Sequence, residues 1–419
     1  MTERCTTRVL ISGGGVAGPV LAYWLQRYGF EPMIVEKAPR PRSGGQRIEI
    51  GEAGQEVLSR MGLLDRARAV GGTHPRSTVY TGPGDRPVRV PDIGAHTPST
   101  ARGGRLTIKR SDLGELLHEQ VRDTVPYLFG DSISALRQEP DSVRAQLASG
   151  ATHHVDLVIG ADGLYSTVRR LAFGEHNRFL HYLGADEAYF TMENFLGWTD
   201  VSRFHAWPGR AAAITTFPGN AELEGMFLLR SSETTVTREM DREARLRRIE
   251  QAFGDDEWLV PSMLRAMHSA TDFRLMPCFQ VRMDSWHTGR VGLVGDAAHC
   301  PDPIAGQGAA LALTGAYALA GELAAAAGNP AMAFTAYERT MRDFVSAGQK
   351  LGELDIAVAA PSGGRTRTWI HEQSQRVLFP LVEFGLRAGI RPQRLTATES
   401  TTLPDYEQSA EATGHASKF

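Results

Sequence analysis

The chain has 419 residues, and its 45 basic and 48 acidic side chains give a formal net charge of −3. This balance argues against a general polyanion-binding protein. Hydrophobic residues make up 42% of the chain and charged residues 22%, which excludes a wholly disordered protein and provides for a substantial core. At about 150 residues per domain, the length predicts between two and three domains.

The cysteines and the apolar stretches indicate the compartment. Cys5, Cys278 and Cys300 are an odd number without metal-ligand spacing. They indicate free thiols in a reducing, cytoplasmic environment and predict no metal site. The polar N-terminus predicts no signal peptide. The apolar stretch at 308–328 contains Glu322 and is mostly alanine and glycine, so it predicts a buried helix and no membrane span.

The N-terminal segment has the pattern of a βαβ unit. Residues 8–12 form a short β-branched run, 16–28 carry apolar residues at helical spacing, and 32–36 form a second apolar run. The parallel strands of such a unit are joined by a right-handed crossover helix.

Further elements follow in chain order. A helix is predicted at 111–122, where a serine or an aspartate can cap its first turn, and buried strands are predicted at 155–159 and 290–294. Between these two strands, four β-branched and aromatic runs are separated by glycine and proline, which predicts an antiparallel sheet. The four runs are 189–192, 204–207, 213–217 and 226–230.

The pattern predicts an α/β fold in which a Rossmann-like nucleotide-binding domain is interrupted by a β-sheet substrate domain and followed by C-terminal helices. The nucleotide-binding domain is predicted at 1–75, 100–178 and 280–350, the β-rich domain at 76–99 and 179–279, a C-terminal helical segment at 351–395 with a helix at 367–385, and a flexible tail at 396–419.

The first motif, Gly-x-Gly-x-x-Gly, lies between the first strand and its helix. Glycines allow a tight turn and a close approach of the backbone to a pyrophosphate, and the helix N-terminus offers free N–H groups. An acid at the end of the second strand is placed to bind a ribose hydroxyl, whereas the lysine after it is equally explained as a solvated cation. The candidate dinucleotide-binding residues here are Gly13, Gly15, Val16, Ala17, Gly18, Glu36 and Lys37.

Two later motifs also follow buried strands. Asp162 precedes Gly163, and it either binds a ligand at the strand end or only caps the turn. Asp296 follows Gly295 and can accept hydrogen bonds from a polyol. The loop after it ends in Gly-Gln-Gly at the start of a long helix, whose amides can hold an anionic ring edge. His299 is interpreted as structural more readily than as catalytic.

In this order and spacing, the three motifs resemble the class A FAD-dependent aromatic monooxygenases, which have the p-hydroxybenzoate hydroxylase fold. The resemblance extends from about residue 8 to 350. The chain resembles the short form of this family, which lacks a thioredoxin-like C-terminal domain. Arg110 resembles a family arginine that contacts the ribityl or pyrophosphate region of the flavin. Arg47 resembles the arginine near the isoalloxazine and is the one candidate for a catalytic role.

The resemblance implies FAD as cofactor and NAD(P)H and O₂ as co-substrates, with a flavin C4a-hydroperoxide that hydroxylates an aromatic substrate. Glu36 would bind the adenosine ribose, and Asp162 would serve FAD and the passing nicotinamide. Asp296 would bind the ribitol. The implied cofactor-binding set therefore adds Arg47, Arg110, Asp162, Gly295, Asp296, Pro303, Gly306, Gln307 and Gly308 to the first motif. Neither a nucleic-acid partner nor a metal is implied.

The β-rich segment is predicted to form the substrate wall, although any one of its apolar residues is explained more readily as ordinary core. The candidates are Phe190, Met192, Trp207, Phe217, Met226 and Leu228. A broad apolar wall suits a polycyclic substrate of the natural-product type, as in antibiotic biosynthesis.

Several alternatives on the same fold remain. Baeyer–Villiger oxygenation of a polycyclic ketone and a non-oxygenating FAD oxidoreductase use the same residues. A flavin-dependent halogenase is disfavoured, because the sequence has no W-x-W-x-I-P motif. The intact later motifs argue against a non-catalytic FAD-binding partner protein.

Overall fold

The computed structural model describes residues 6–41, 46–73, 77–81, 87–90, 105–234, 236–237, 239–360, 374 and 403–406. The described strands are β1 (Arg8–Ser12), β2 (Glu31–Glu36), β3 (Arg47–Ile50), β4 (Gly72–Thr73), β5 (Ser77–Thr81), β6 (Pro87–Val90), β7 (Leu106–Lys109), β8 (Tyr127–Phe129), β9 (Ile133–Gln138), β10 (Val143–Leu147), β11 (Thr152–Val155), β12 (Leu157–Gly160), β13 (Leu180–Glu193), β14 (Val201–Trp207), β15 (Arg210–Thr216), β16 (Glu222–Arg230), β17 (Arg274–Val281), β18 (His287–Thr288) and β19 (Val291–Leu293).

The described helices are α1 (Ala17–Arg27), α2 (Glu52–Arg60), α3 (Leu64–Val70), α4 (Arg110–Val121), α5 (Thr167–Phe173), α6 (Arg242–Phe253), α7 (Val260–Ser269), α8 (Asp296–His299), α9 (Gly308–Ala325) and α10 (Pro330–Ala359). Short 3₁₀ turns lie at His176–Arg178 and Pro303–Ala305.

The sheet of the nucleotide-binding domain has the strand order β18-β19-β12-β1-β2-β8. β1 pairs in parallel with β2 and with β12, and β12 pairs in parallel with β19. Between their polar ends these strands are apolar and mostly buried, as expected where helices cover both faces of a parallel sheet. The predicted Rossmann-like α/β fold is confirmed.

The strand predicted at 155–159 is divided in the structure. β11 ends at Val155 and β12 begins at Leu157, and Asp156 lies between them. The Asp156 carboxylate accepts a hydrogen bond from the Arg8 amide over 2.7 Å, while its own amide donates to the Arg8 carbonyl over 3.0 Å. This exchange directs the chain from the antiparallel β9–β10–β11 sheet into the parallel sheet.

A second, seven-stranded sheet, here called the substrate sheet, has the order β17-β13-β16-β15-β14-β5-β6. It is antiparallel except where β5 pairs in parallel with β14. It therefore contains the four runs predicted as strands and also β5 and β6 from the predicted 76–99 segment. Both segments of the predicted β-rich domain contribute strands to this sheet, and the domain boundaries stay a prediction.

Helix α9 lies in the core. By length and composition it could cross a membrane, but 78% of it is buried inside the fold. Tyr317 and Leu319 are fully buried, as expected for the helix predicted over this apolar stretch. No other described helix passes the same test of length and hydropathy.

The C-terminal residues differ from their prediction where the structure describes them. Residues 403–406 lie in the predicted flexible tail, yet Leu403 and Tyr406 are buried. The Tyr406 hydroxyl donates to Glu322 over 2.8 Å, and the Tyr317 hydroxyl donates to the Pro404 carbonyl over 2.9 Å. This short segment is therefore fastened to α9. The predicted helix at 367–385 lies outside the described residues except for residue 374.

Candidate functional site

The three glycines of the first motif have different roles. Gly13 has a φ of +113°, and a Cβ there would lie 2.4 Å from the Ala161 carbonyl oxygen. A Cβ at Gly18 would lie 2.0 Å from the Gly13 carbonyl oxygen. A Cβ at Gly15 would meet no atom within 4 Å. Gly13 and Gly18 are therefore required by packing, whereas Gly15 leaves open space.

The N-terminus of α1 faces this open space with free amides. Val16 precedes the helix, and none of the described side chains caps its first turn. The N–H groups at a helix start carry the positive end of the helix dipole and bind phosphate when it is available. The arrangement of Gly15, Val16 and Ala17 fits a pyrophosphate.

The Glu36 carboxylate is oriented by two backbone amides. It accepts hydrogen bonds from Gly14 over 2.7 Å and from Ala38 over 2.8 Å, one on each oxygen. A carboxylate oxygen has two lone pairs, so both oxygens can still accept from a ribose hydroxyl. Lys37 is exposed. The geometry places the acid next to the glycine turn, as dinucleotide binding requires.

The Asp162 carboxylate caps α5. It accepts hydrogen bonds from the Ser166 hydroxyl over 2.5 Å and from the Thr167 amide over 2.7 Å. Burial raises the pKa of Asp162, although these donors oppose the shift. The turn that it stabilises includes Ala161, whose carbonyl packs on Gly13. Asp162 thus shapes the first loop through the backbone.

Arg169 joins the second motif to the third, a role that sequence analysis missed. Its side chain is 0% exposed and donates to the carbonyls of Ala297 over 2.8 Å and Leu164 over 2.6 Å. Burial lowers the pKa of Arg169 to about 10. The available signal was an arginine three residues after a serine cap, within an otherwise largely apolar helix.

The third motif brings Asp296 to the start of α9. Gly295 has a φ of +63°, and a Cβ at Gly308 would lie 3.7 Å from Oδ1 of Asp296. Burial raises the pKa of Asp296, while the charge of Arg110 lowers it. Arg110 is the exposed first residue of α4. The structure therefore brings these two predicted residues to one place.

His299 has a structural environment. Its side chain is 1% exposed, Nε2 lies 3.0 Å from the Tyr337 hydroxyl, and its ring packs edge-on against Trp286. Burial lowers the pKa of His299 to about 3. The imidazole is therefore neutral at physiological pH, in agreement with the structural interpretation of this residue.

The loop at 302–308 leads into α9. Asp302 has a φ of +91°, the 3₁₀ turn Pro303–Ala305 follows, and Gly306 has a φ of +60°. Gln307 directly precedes α9, and no described side chain caps the first turn of this helix. This helix start thus presents free amides next to Asp296, which is a second place where an anionic group can bind.

Arg47 is held by two carboxylates. Its guanidinium donates to Glu49 over 2.6 Å, and its Nε lies 3.5 Å from Glu224, which also accepts from the Arg47 amide over 2.7 Å. Burial would lower the pKa of Arg47, but Glu49 and Glu224 raise it above its ordinary value. Since Glu224 lies on β16, this ion pair ties β3 to the substrate sheet.

The two faces of the substrate sheet have different surroundings. Phe190, Met192 and Trp207 pack toward α6 and α7. Met226 and Leu228 lie on the opposite face, in one cluster with Ile304 of the 302–308 loop. The register produces this division, because side chains alternate between the faces of a strand. The remaining candidate, Phe217, is buried beneath Lys109, whose ammonium lies 4.9 Å from the ring centroid.

Comparisons with known proteins agree with this geometry. A family model described as the FAD binding domain matches residues 6–347. A flavin-dependent monooxygenase of Legionella longbeachae is 34% identical over 410 residues, which cover 96% of this chain and 99% of the relative.

Two solved structures are similar. The tetracycline destructase Tet(55) has a TM-score of 0.77 and 28% identity, covering 96% of this chain and 99% of that chain. Klebsiella pneumoniae HpxO, solved with FAD and uric acid, has a TM-score of 0.74 and covers 92% of this chain and 96% of that chain; at 19% identity it shows the fold alone. The chain belongs to the FAD-binding-domain family of flavin-dependent monooxygenases, oxidoreductases with FAD as cofactor.

Proposed function

We propose that this monooxygenase hydroxylates an aromatic, polycyclic small molecule, with NAD(P)H as electron donor and O₂ as oxidant. Bound FAD supplies the redox chemistry, because it takes a hydride from the nicotinamide and activates O₂. The protein then has to bind the cofactor, orient the substrate and exclude water.

The chain offers a continuous set of FAD-binding groups. The amides at Gly15–Ala17 would hold the pyrophosphate, and Glu36 would accept from the adenosine ribose. Arg110 and Asp296 would hold the ribityl chain. The amides at 306–308, in the loop that also contains Pro303, would bind the pyrimidine edge of the flavin. These roles use the free amides and the open space described above.

The proposal rests mainly on the face of the substrate sheet that contains Met226 and Leu228, here called the substrate face. On this face of the substrate sheet, Met226 pairs with Ala213 and Leu228 pairs with Ala211. Alanines and the larger apolar side chains Met226 and Leu228 are therefore neighbours on this face, in one cluster with the half-buried Ile304 and with Ile356 of α10. Such a surface suits a flat, extended hydrophobic ring system. Phe190 and Met192, on the helix-covered face, stabilise the sheet from behind.

The names of similar proteins support a ring substrate. Tet(55) is named for tetracycline, and the HpxO crystal contains uric acid. Both are ring compounds that bear oxygen substituents. We infer the same chemical class for this chain.

The test is to reconstitute the full chain with FAD and to offer a panel of phenolic polycycles, tetracycline and uric acid, with NADH or NADPH. Substrate-dependent NAD(P)H oxidation and a product that is heavier by one oxygen atom and carries a new ring hydroxyl support the proposal. Ester or lactone formation from a ketone identifies Baeyer–Villiger oxygenation. A product without added oxygen identifies a non-oxygenating oxidoreductase, and the proposal is then wrong.

A further inference from the structure

The Arg47 guanidinium keeps one edge free at the end of the substrate face. Its Nη1 donates to Glu49 over 2.6 Å, and its Nε lies 3.5 Å from Oε1 of Glu224. No described residue accepts a hydrogen bond from Nη2. The side chain is 15% exposed, and its buried, unpartnered nitrogen is Nε rather than Nη2. The two N–H groups on Nη2 are therefore available to donate to a ligand.

Glu224 holds this guanidinium against the substrate sheet. One carboxylate oxygen, Oε2, accepts from the Arg47 amide over 2.7 Å, while Oε1 faces Nε. The acid thus holds both the backbone and the side chain of Arg47. Glu224 and Met226 are two positions apart on β16, so their side chains lie on the same face of the sheet. The Arg47 guanidinium therefore lies at the polar end of the substrate face.

A second ion pair attaches the same two strands to the substrate sheet. Arg47 on β3 pairs directly with Lys109 on β7, and Lys109 forms an ion pair with Glu222. Glu222 and Glu224 lie on one face of β16, again because side chains alternate along a strand. Two cations of the β3–β7 pair thus meet two acids of β16 in register. This double attachment limits how far the Arg47 guanidinium can move relative to the substrate face.

The charges around Arg47 neutralise it only in part. Glu49 also accepts from Arg105 over 3.2 Å, so this carboxylate is shared between two guanidinium groups. Oε2 of Glu224 is occupied by the backbone amide. An arginine stays charged, and it forms its strongest hydrogen bonds with ionised oxygens. A ligand that carries such an oxygen on a flat ring would meet both the cation and the apolar side chains next to it.

We propose that Arg47 binds an ionised oxygen of the ring substrate, a phenolate or an enolate, and that Glu224 is the positioning residue that holds the guanidinium for it. The substrate class is thereby narrowed to ring compounds with an acidic hydroxyl group. The inference rests on the proposed function, because it needs a ring substrate on the substrate face. A flavin also carries oxygen acceptors, but Arg47 is attached to the substrate sheet, so we assign its free edge to the substrate.

The experiment measures binding without turnover, so that it is independent of hydroxylation. The probes are 4-hydroxycoumarin and coumarin, which share a flat fused-ring skeleton, and the hydroxyl group of 4-hydroxycoumarin is ionised at neutral pH. Isothermal titration calorimetry of the FAD-loaded full chain gives both dissociation constants. We expect wild type to prefer 4-hydroxycoumarin by about tenfold or more, because only its ionised oxygen forms a charge-assisted hydrogen bond.

Three variants separate the roles. Arg47→Lys keeps a cation between Glu49 and Glu224, which protects the fold, but it lacks the free edge and should abolish the preference. Glu224→Gln keeps an acceptor for the Arg47 amide without the charge that holds the guanidinium, and should reduce the preference. Arg105→Lys is the matched control, since it makes the same exchange at the other arginine on Glu49 and should keep the preference. A purely structural loss would weaken both probes alike and leave their ratio unchanged.

Equal affinity of wild type for the two probes, or binding of neither, overturns the inference. A wild-type preference in Glu224→Gln overturns the positioning role, and a lost preference in Arg105→Lys shows an effect of the whole charge cluster and overturns the assignment to Arg47. If Arg47→Lys weakens FAD binding in a fluorescence titration but keeps the preference, the free edge serves the flavin and the inference is wrong. A chain that shows the preference but forms no hydroxylated product keeps this inference and loses the proposed function.

Discussion

A substitution at Gly15 should weaken cofactor binding without weakening the fold. In Gly15→Ala, the new Cβ meets no atom within 4 Å. The free energy of unfolding of the apoprotein should stay the same or rise by about 0.4–1 kcal/mol, because alanine has less conformational freedom in the unfolded chain. In the proposed binding mode the Cβ would occupy the position of the FAD pyrophosphate, so we expect FAD affinity to fall at least tenfold, or about 1.4 kcal/mol.

Gly18→Ala is the matched control for this prediction. Its Cβ would lie 2.0 Å from the Gly13 carbonyl oxygen, so the apoprotein should lose about 1–3 kcal/mol through overpacking. Denaturant unfolding of both apoproteins and a fluorescence titration with FAD measure the two effects. If Gly15→Ala is destabilised as much as Gly18→Ala, or binds FAD as wild type does, the reasoning about the loop is refuted.

Three further predictions concern other parts of the site. Phe190→Ala should cost about 3–5 kcal/mol of stability and leave the substrate KM unchanged, whereas Met226→Ala should raise the substrate KM. The same KM in both variants would contradict the assignment of the two faces. Burial lowers the pKa of His299 to about 3, so its contribution to stability is lost as pH falls below about 6.5. The acid limb of a stability–pH profile should therefore flatten in His299→Gln, and an unchanged limb would contradict this. Arg169→Met should destabilise the apoprotein by about 3 kcal/mol in thermal unfolding, because the Ala297 carbonyl loses a charged donor; a wild-type melting temperature would refute its linking role.

Local patterns were sufficient to predict the nucleotide-binding scaffold. The turn at Gly13, the helix start after it and the acid at Glu36 are close in sequence, and the physical demands of a βαβ unit connect them. The buried strand at Leu157–Gly160 was recognisable from its apolar run, but the break at Asp156 was not. That break depends on Arg8, a partner 148 positions away.

The faces of the substrate sheet could not be assigned from sequence. Alternation correctly separates Phe190 from Tyr189, but both faces are covered. Helices α6 and α7 cover one, and the 302–308 loop and the end of α10 cover the other. An apolar residue is therefore expected on either face. The assignment requires the three-dimensional packing of α6 and α7.

The ion pair between Arg47 and Glu224 was also invisible to local patterns. Arg47 and Glu224 are 177 positions apart, and no short motif joins them.

The central claim is oxygen insertion into a ring substrate on the substrate sheet, next to FAD. Its most direct test is mass spectrometry of the product formed by the FAD-loaded full chain under labelled dioxygen with NAD(P)H. We predict one labelled oxygen atom in the product of an aromatic polycyclic substrate, with a higher KM in Met226→Ala. Product that carries unlabelled oxygen, or a substrate converted without oxygen gain, would contradict the claim.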